Sequence, residues 1–301
     1  MPLRHGGVAS FTLRYELTGP PGAPLLLVAG GISAGRHVVA SGELPEPGWW
    51  QSQAGSFRDY RVLAIDWVGA DGAIDLPIDP ADQAEAIAWL LDELGEPKAA
   101  AFIGASYGAM VGMHLAARYP ERLSGLLAIS AADRAHPFAS ACRALQRQAI
   151  ALGESRGDPI AGVALARAMA ILTYRTPEEF AERFDAAPEI HDSRLRVAAE
   201  PYLDAHGERH CRRMGSIAYR RLSESIDLHR IDDPIEVPLT LVAVDRDALV
   251  PASDIEALSA RMPGSTLKTI HSRFGHDAFL KEEAQVGAII AEFLAFLETS
   301  Q

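Results

Sequence analysis

The chain has 301 residues, 48% of them hydrophobic and 23% charged, an ordinary composition that can bury a substantial core as one large domain or two small ones and argues against disorder. Its 28 Lys and Arg against 40 Asp and Glu give a net charge of -12, which repels polyphosphate and argues against nucleic acid as a partner. Cys142 and Cys211 are too few for a disulfide framework and lack metal-ligand spacing, so a reducing compartment is expected.

The first residues, Met-Pro-Leu-Arg-His-Gly-Gly-Val, lack the apolar core of a signal peptide, and no run approaches the ~18 apolar residues of a membrane span. A cytoplasmic location with no membrane partner is therefore expected. Strand-like apolar runs are predicted at Phe11–Leu17, Pro24–Ala29, Arg61–Ile65, Ala99–Ile103, Leu123–Ile129, Pro238–Val244 and Ser265–Ile270. Helical spacing falls between them: Ala81–Leu94 carries Ala84, Ile87, Ala88 and Leu91 on one face, and Val111–Tyr119, Asp254–Met262 and Lys281–Leu297 follow. Strands that alternate with helices imply an α/β fold, a mostly parallel sheet covered on both faces. From Ala131 to Pro234 the strand signal stops, and a stretch rich in Ala, Arg, Glu and Leu is broken at Pro137, Pro159, Pro177, Pro188 and Pro201. Residues 1–130 and 235–301 are thus read as an α/β core, and 131–234 as a helical lid set over the carboxyl ends of the strands, where such sheets bind ligands. No internal repeat interrupts this order.

Gly104-Ala105-Ser106-Tyr107-Gly108 lies between an apolar run and a helical one. A serine at the apex of a strand-to-helix turn lifts its hydroxyl above the sheet, and glycines two positions either side let the backbone turn sharply. Ser106 is the candidate nucleophile. A serine hydroxyl needs a base, and the base needs an orienting group. Asp245 and Asp247 follow the strand ending at Val244, and His276 follows the last strand, so the chain order is Ser, Asp, His. Asp247 stands four residues before a proline that opens a helix and is preferred as the orienting group, with Asp245 left to the strand end. His5, His37, His114, His136, His191, His206, His210, His229 and His271 are read as surface or satisfied packing residues. For the oxyanion of an acyl transfer, the Tyr107 amide supplies one donor, and the turn Ala29-Gly30-Gly31-Ile32-Ser33 supplies the other through Ile32 or Gly31.

Gly275-His276-Asp277-Ala278-Phe279-Leu280 strongly resembles the catalytic-histidine segment of the homoserine O-acyltransferase family, within the α/β-hydrolase superfamily. Gly48-Trp49-Trp50, Gln146–Ile150, the segment Ala164 to Thr176, Glu200–Asp204 and Ile226–His229 agree with it, so the resemblance runs roughly from Gly30 to Leu280. It implies an α/β-hydrolase fold with an inserted lid. It also implies transfer of an acetyl or succinyl group from acyl-CoA to the γ-hydroxyl of L-homoserine, a step of methionine synthesis, by a ping-pong mechanism. Acyl-CoA is then a co-substrate and no cofactor is held, Arg175 and Asp277 bind the acceptor, and two copies pair through their lid helices.

The chain departs from the family between Phe57 and Pro77, where it is short, and in its oxyanion turn and elbow, which carry Gly30-Gly31-Ile32 and Tyr107. Leu249 stands where succinyl-specific relatives often have arginine, which leans toward acetyl, whereas Arg246 or a lid arginine would serve succinyl. The donor stays open on sequence grounds. An ester or thioester hydrolase, transfer to another hydroxyl such as that of serine, and a non-catalytic receptor are the alternatives.

Overall fold

The computed structural model describes residues 1–299. The strands are β1 Tyr15–Thr18, β2 Leu25–Ala29, β3 Arg61–Ile65, β4 Ala101–Ala105, β5 Leu126–Ile129, β6 Glu189–His191, β7 Arg194–Arg196, β8 Leu239–Val244 and β9 Thr266–Ile270. The helices are α1 Ala54–Phe57, α2 Pro80–Glu93, α3 Tyr107–Arg118, α4 Pro137–Ser155, α5 Pro159–Tyr174, α6 Pro177–Arg183, α7 Glu200–Cys211, α8 Ser216–Leu228, α9 Ala252–Arg261, α10 Ala278–Lys281 and α11 Glu283–Thr299. Seven strands form one sheet in the order β1-β3-β2-β4-β5-β8-β9, parallel except where β1 runs against β3.

Strands β4, β5 and β8 are buried at every residue, which is why they read as unbroken apolar runs without polar alternation. Successive side chains go to opposite faces. Leu25, Leu27, Phe102 and Leu126 join α2, α3 and α9 in one core layer, whereas Leu26, Val28, Ile103 and Leu127 meet Val286, Ile290 and Phe293 of α11 in the other. Three expectations shift, the run predicted from Leu123 being strand only from Leu126. The run predicted from Phe11 becomes strand only from Tyr15, because Phe11 and Leu13 pack on a separate cluster with Leu3, Ile74 and Ile78. The run predicted from Ala99 is displaced by two residues, with Ala99 making only an isolated bridge to Leu123.

Between β5 and β8 lie helices α4 to α8. Pro137, Pro159 and Pro177 each open a helix, since a first-turn residue needs no amide partner and the ring presets φ. The segment was expected to be wholly helical, yet β6 and β7 form a short antiparallel hairpin turning at Asp192 and Ser193, both at positive φ. Helices cross closely through small residues: a Cβ on Gly153 would lie 2.7 Å from Gly162 Cα, and one on Gly207 2.6 Å from the Ala164 carbonyl oxygen. Asp227 of α8 fastens α4 by accepting from Arg143 Nε at 2.9 Å and Arg147 Nη1 at 2.8 Å. The two ends of the segment meet where the Ile231 amide donates to the Asp133 carbonyl at 2.8 Å. No helix among the described residues is long and apolar enough to cross a membrane.

Candidate active site

The turn from β4 into α3 sets Ser106 at φ 55° and ψ -121°, in the left-handed half of φ that L-residues seldom adopt. Its amide donates to the Ile129 carbonyl of β5 at 2.8 Å, which helps hold the strained turn. Both glycines are required by space. A Cβ on Gly104 would stand 2.6 Å from Ala109 Cα, and one on Gly108 2.3 Å from the Ala29 carbonyl oxygen. The Gly108 amide donates to Gly30 at 2.8 Å, so the elbow and the turn after β2 are bonded side by side. Tyr107 heads α3 and its amide has no acceptor within the helix, while Ile32 lines the same cavity as Ser106.

His276 comes from the loop after β9, where Gly275 at φ 58° turns the chain back over the strand ends. Ser106 Oγ lies 2.8 Å from His276 Nε2, and His276 Nδ1 lies 2.7 Å from Asp247 Oδ2. With Nδ1–H donated to the carboxylate, Nε2 is free to accept the serine proton. The other oxygen of Asp247 accepts the amides of Leu249 at 2.9 Å and Val250 at 3.0 Å, which fixes the carboxylate in the loop after β8. Burial disfavours charge on His276, but the Asp247 carboxylate outweighs it and raises the imidazole above its ordinary pKa. Asp245 takes a different place, accepting from the Ser272 amide and from His271 Nδ1, each at 3.1 Å. The loop distinction between the two aspartates therefore matches where each carboxylate lies.

Arg175 and Asp277 are brought together, with Arg175 Nη2 3.0 Å from Asp277 Oδ2 and Arg175 Nη1 3.5 Å from Glu179 Oε2. Burial pushes the Asp277 pKa up, and the guanidinium opposes it. Arg175 Nε is buried without a hydrogen-bond partner. Asp277 lines a cavity of about 220 Å³ with Ser106 and His276, whose other walls include Arg143, Arg167, Arg213 and Leu249. Arg246 is half-exposed beside Glu178, away from this lining. Nothing in the local sequence signals that the Tyr107 ring is buried, edge-on to Trp67 at 4.9 Å, with its hydroxyl 2.7 Å from Ser225 Oγ of α8. A partly exposed serine with a buried base and carboxylate, beside amide donors, can form and transfer an acyl-serine ester.

Residues 24–283 match the family described as alpha/beta hydrolase fold. A homoserine O-succinyltransferase of Xanthomonas campestris pv. campestris is 52% identical over 301 residues, covering 98% of this chain and 82% of that one. A homoserine O-acetyltransferase of Thermus thermophilus is 35% identical over 283 residues, covering 82% of this chain and 72% of that one. The chain belongs to the homoserine O-acyltransferase family. The crystal structure of homoserine O-acetyltransferase from Bacillus anthracis superposes with a TM-score of 0.86 at 16% identity, covering 98% of this chain and 95% of that one. At that identity the likeness concerns the fold, as it does for esterase E22, with a TM-score of 0.84 over 98% and 97% of the two chains at 17% identity. Family members therefore share the scaffold with esterases, and the residues around the serine must decide the acceptor.

Proposed function

We propose that this chain transfers a succinyl group from succinyl-CoA to the γ-hydroxyl of L-homoserine. The observation that carries the reading is the Ser106–His276–Asp247 set closed under a lid in a chain 52% identical to a homoserine O-succinyltransferase. Ser106 Oγ attacks the thioester carbonyl and gives its proton to His276 Nε2, while the oxyanion is held by the Tyr107 and Ile32 amides. Collapse expels the CoA thiolate, which takes that proton. The γ-hydroxyl of homoserine then attacks the acyl-Ser106 carbonyl, His276 accepts its proton, and the second collapse returns the proton to Ser106 as the O-acyl product leaves. Serine, imidazole and amides supply every step, so no bound cofactor is needed.

Asp277 on the cavity wall offers its carboxylate to the ammonium of an amino acid, and Arg175, paired with Asp277 and outside that lining, answers the carboxylate once the pair opens. Succinyl is favoured over acetyl by the guanidinium groups in the cavity. Arg143 is already held by Asp227, which leaves Arg167 and Arg213 to meet a terminal carboxylate in place of Leu249 or Arg246. The measurement is thiol release from succinyl-CoA and acetyl-CoA, with and without L-homoserine, with the product mass recorded. Homoserine-dependent O-succinylhomoserine supports the reading, preference for acetyl-CoA removes the donor assignment, and release independent of homoserine makes the protein a hydrolase.

We further propose that two copies pair through the lid. Phe138, Leu145 and Leu152 recur every seven residues on α4 and are exposed, with Leu165 and Leu172 of α5 exposed likewise. Light scattering should give twice the chain mass for the parent and a single chain for Leu145→Glu/Leu152→Glu, and a monomeric parent would remove the pairing. A reducing, cytoplasmic setting suits Cys142 and Cys211, which are free thiols.

A further inference from the structure

Beside the catalytic cavity, and sharing its walls at Ile32, Ser33, Ala34, Arg167 and Arg213, lies a larger cleft of about 670 Å³ that the reaction steps above leave unused. It is bounded by the segment before β1, the turns after β2 and β3, and the carboxyl end of α7. Arg14, Arg167, Arg209, Arg212 and Arg213 all line it. In a chain with a net charge of -12, other arginines are matched by acids, as Arg220 and Arg221 are by Asp75. Among the described residues, none of these five has a carboxylate oxygen within 4.0 Å. The acids on the wall are engaged elsewhere, Asp66 with Arg36 and Asp71 with the Ala73 amide.

A second observation points to a ligand. His210 is only 8% exposed, faces the cleft, and buries an Nε2 that no group bonds. Its pKa and that of His206 are pushed down to about 3 and about 4, by burial first and then by the arginines around them. The cleft is thus a positive site on an acidic molecule, and uncompensated guanidinium groups repel one another until an anion joins them. The planar fork of arginine matches phosphate oxygens two at a time.

We propose that this cleft binds the phosphorylated nucleotide end of acyl-CoA, with Arg14, Arg209 and Arg212 taking its phosphate oxygens and His210 in the wall behind them. The pantetheine arm then follows the shared wall from Ile32 to Ala34 toward Ser106. This rests on the acyl-CoA reading above. It also explains how an acidic protein admits a multiply negative donor, because a local positive cleft focuses the field where the overall charge opposes approach.

The test compares the parent with Arg209→Gln/Arg212→Gln, both exposed positions at the end of α7. CoA and pantetheine are titrated calorimetrically into each protein, and KM is measured for succinyl-CoA and for succinyl-pantetheine. The parent should bind CoA at least ~10-fold more tightly than pantetheine, and the variant should lose that advantage. Its KM for succinyl-CoA should rise by a similar factor, while the KM for succinyl-pantetheine stays unchanged. Equal binding of CoA and pantetheine by the parent, or parental CoA affinity in the variant, overturns the assignment. Loss of CoA binding in the variant with no transfer by either protein leaves the cleft assigned and removes the acyltransferase reading. Normal transfer with undisturbed CoA affinity does the reverse.

Discussion

Gly108→Ala tests how closely the elbow must sit against the turn that carries Ile32. Alanine ordinarily stabilises a helical position relative to glycine by about 1 kcal/mol. Here the added Cβ would lie 2.3 Å from the Ala29 carbonyl oxygen and 2.4 Å from its carbon, both backbone atoms that cannot rotate away. Reaching ordinary contact requires α3 and the end of β2 to part by about 1 Å, and overpacking of that kind costs roughly 1–3 kcal/mol. The clash outweighs the propensity gain, so the variant folds with a melting temperature lowered by several degrees, about 2–4 °C per kcal/mol in a chain of this size. The catalytic effect is larger, because the same displacement strains the Gly108–Gly30 hydrogen bond and moves the Ile32 amide relative to that of Tyr107. Misplacing one oxyanion donor by that distance should lower kcat about 100-fold with little change in KM. The assay is succinyl-CoA-dependent acylation of homoserine beside a circular-dichroism melt. Gly55→Ala in α1, where a Cβ meets nothing within 4 Å, serves as the control and should be neutral or slightly stabilising. A folded Gly108→Ala protein with kcat within twofold of the parent would refute the reasoning.

Asp247→Asn should reduce kcat by about 10⁴-fold while Asp245→Asn stays within a few-fold, and comparable losses in both would undo the division of labour between the two carboxylates. Because His276 must be neutral to accept a proton and its pKa is raised by Asp247, kcat/KM should fall on the acid side with an inflection above 6.5. A pH profile whose acid limb breaks at or below that value contradicts the electrostatics. Arg175→Ala should raise KM for homoserine far more than KM for acyl-CoA, and an equal rise in both takes Arg175 out of the acceptor site.

The candidate triad positions could be picked out because each rests on local chain chemistry: a serine between two glycines after a buried strand, a histidine after a glycine that turns the chain back, and an aspartate four residues before Pro251, whose second oxygen accepts the Leu249 and Val250 amides. The parallel strands were legible for a similar reason, since burial on both faces leaves no polar alternation to confuse. What stayed hidden is tertiary. The hairpin β6–β7 is three residues per strand, charged, and turned by Asp192 and Ser193, so neither period nor turn residue announces it. Phe11 and Leu13 carry strand-like spacing yet serve a satellite cluster. His114 and His229, read as packing histidines, meet as a buried pair 3.2 Å apart, whereas His210, read the same way, keeps an unsatisfied nitrogen. The arginines of the cleft come from the segment before β1 and from the lid, and nothing in their local context places Arg14 in one wall with Arg212.

The carboxyl end of α5 touches the base directly. The Tyr174 ring stacks on the His276 imidazole at 5.9 Å, a Cβ on Gly275 would lie 2.9 Å from the Tyr174 carbonyl oxygen, and Thr176 Oγ1 donates to the Arg273 carbonyl at 2.6 Å. That end of the lid is therefore fastened to the loop that carries the imidazole, and the position of the base depends on it. The geometry of the base is thus a property of how the chain is threaded through the lid as much as of the loop after β9.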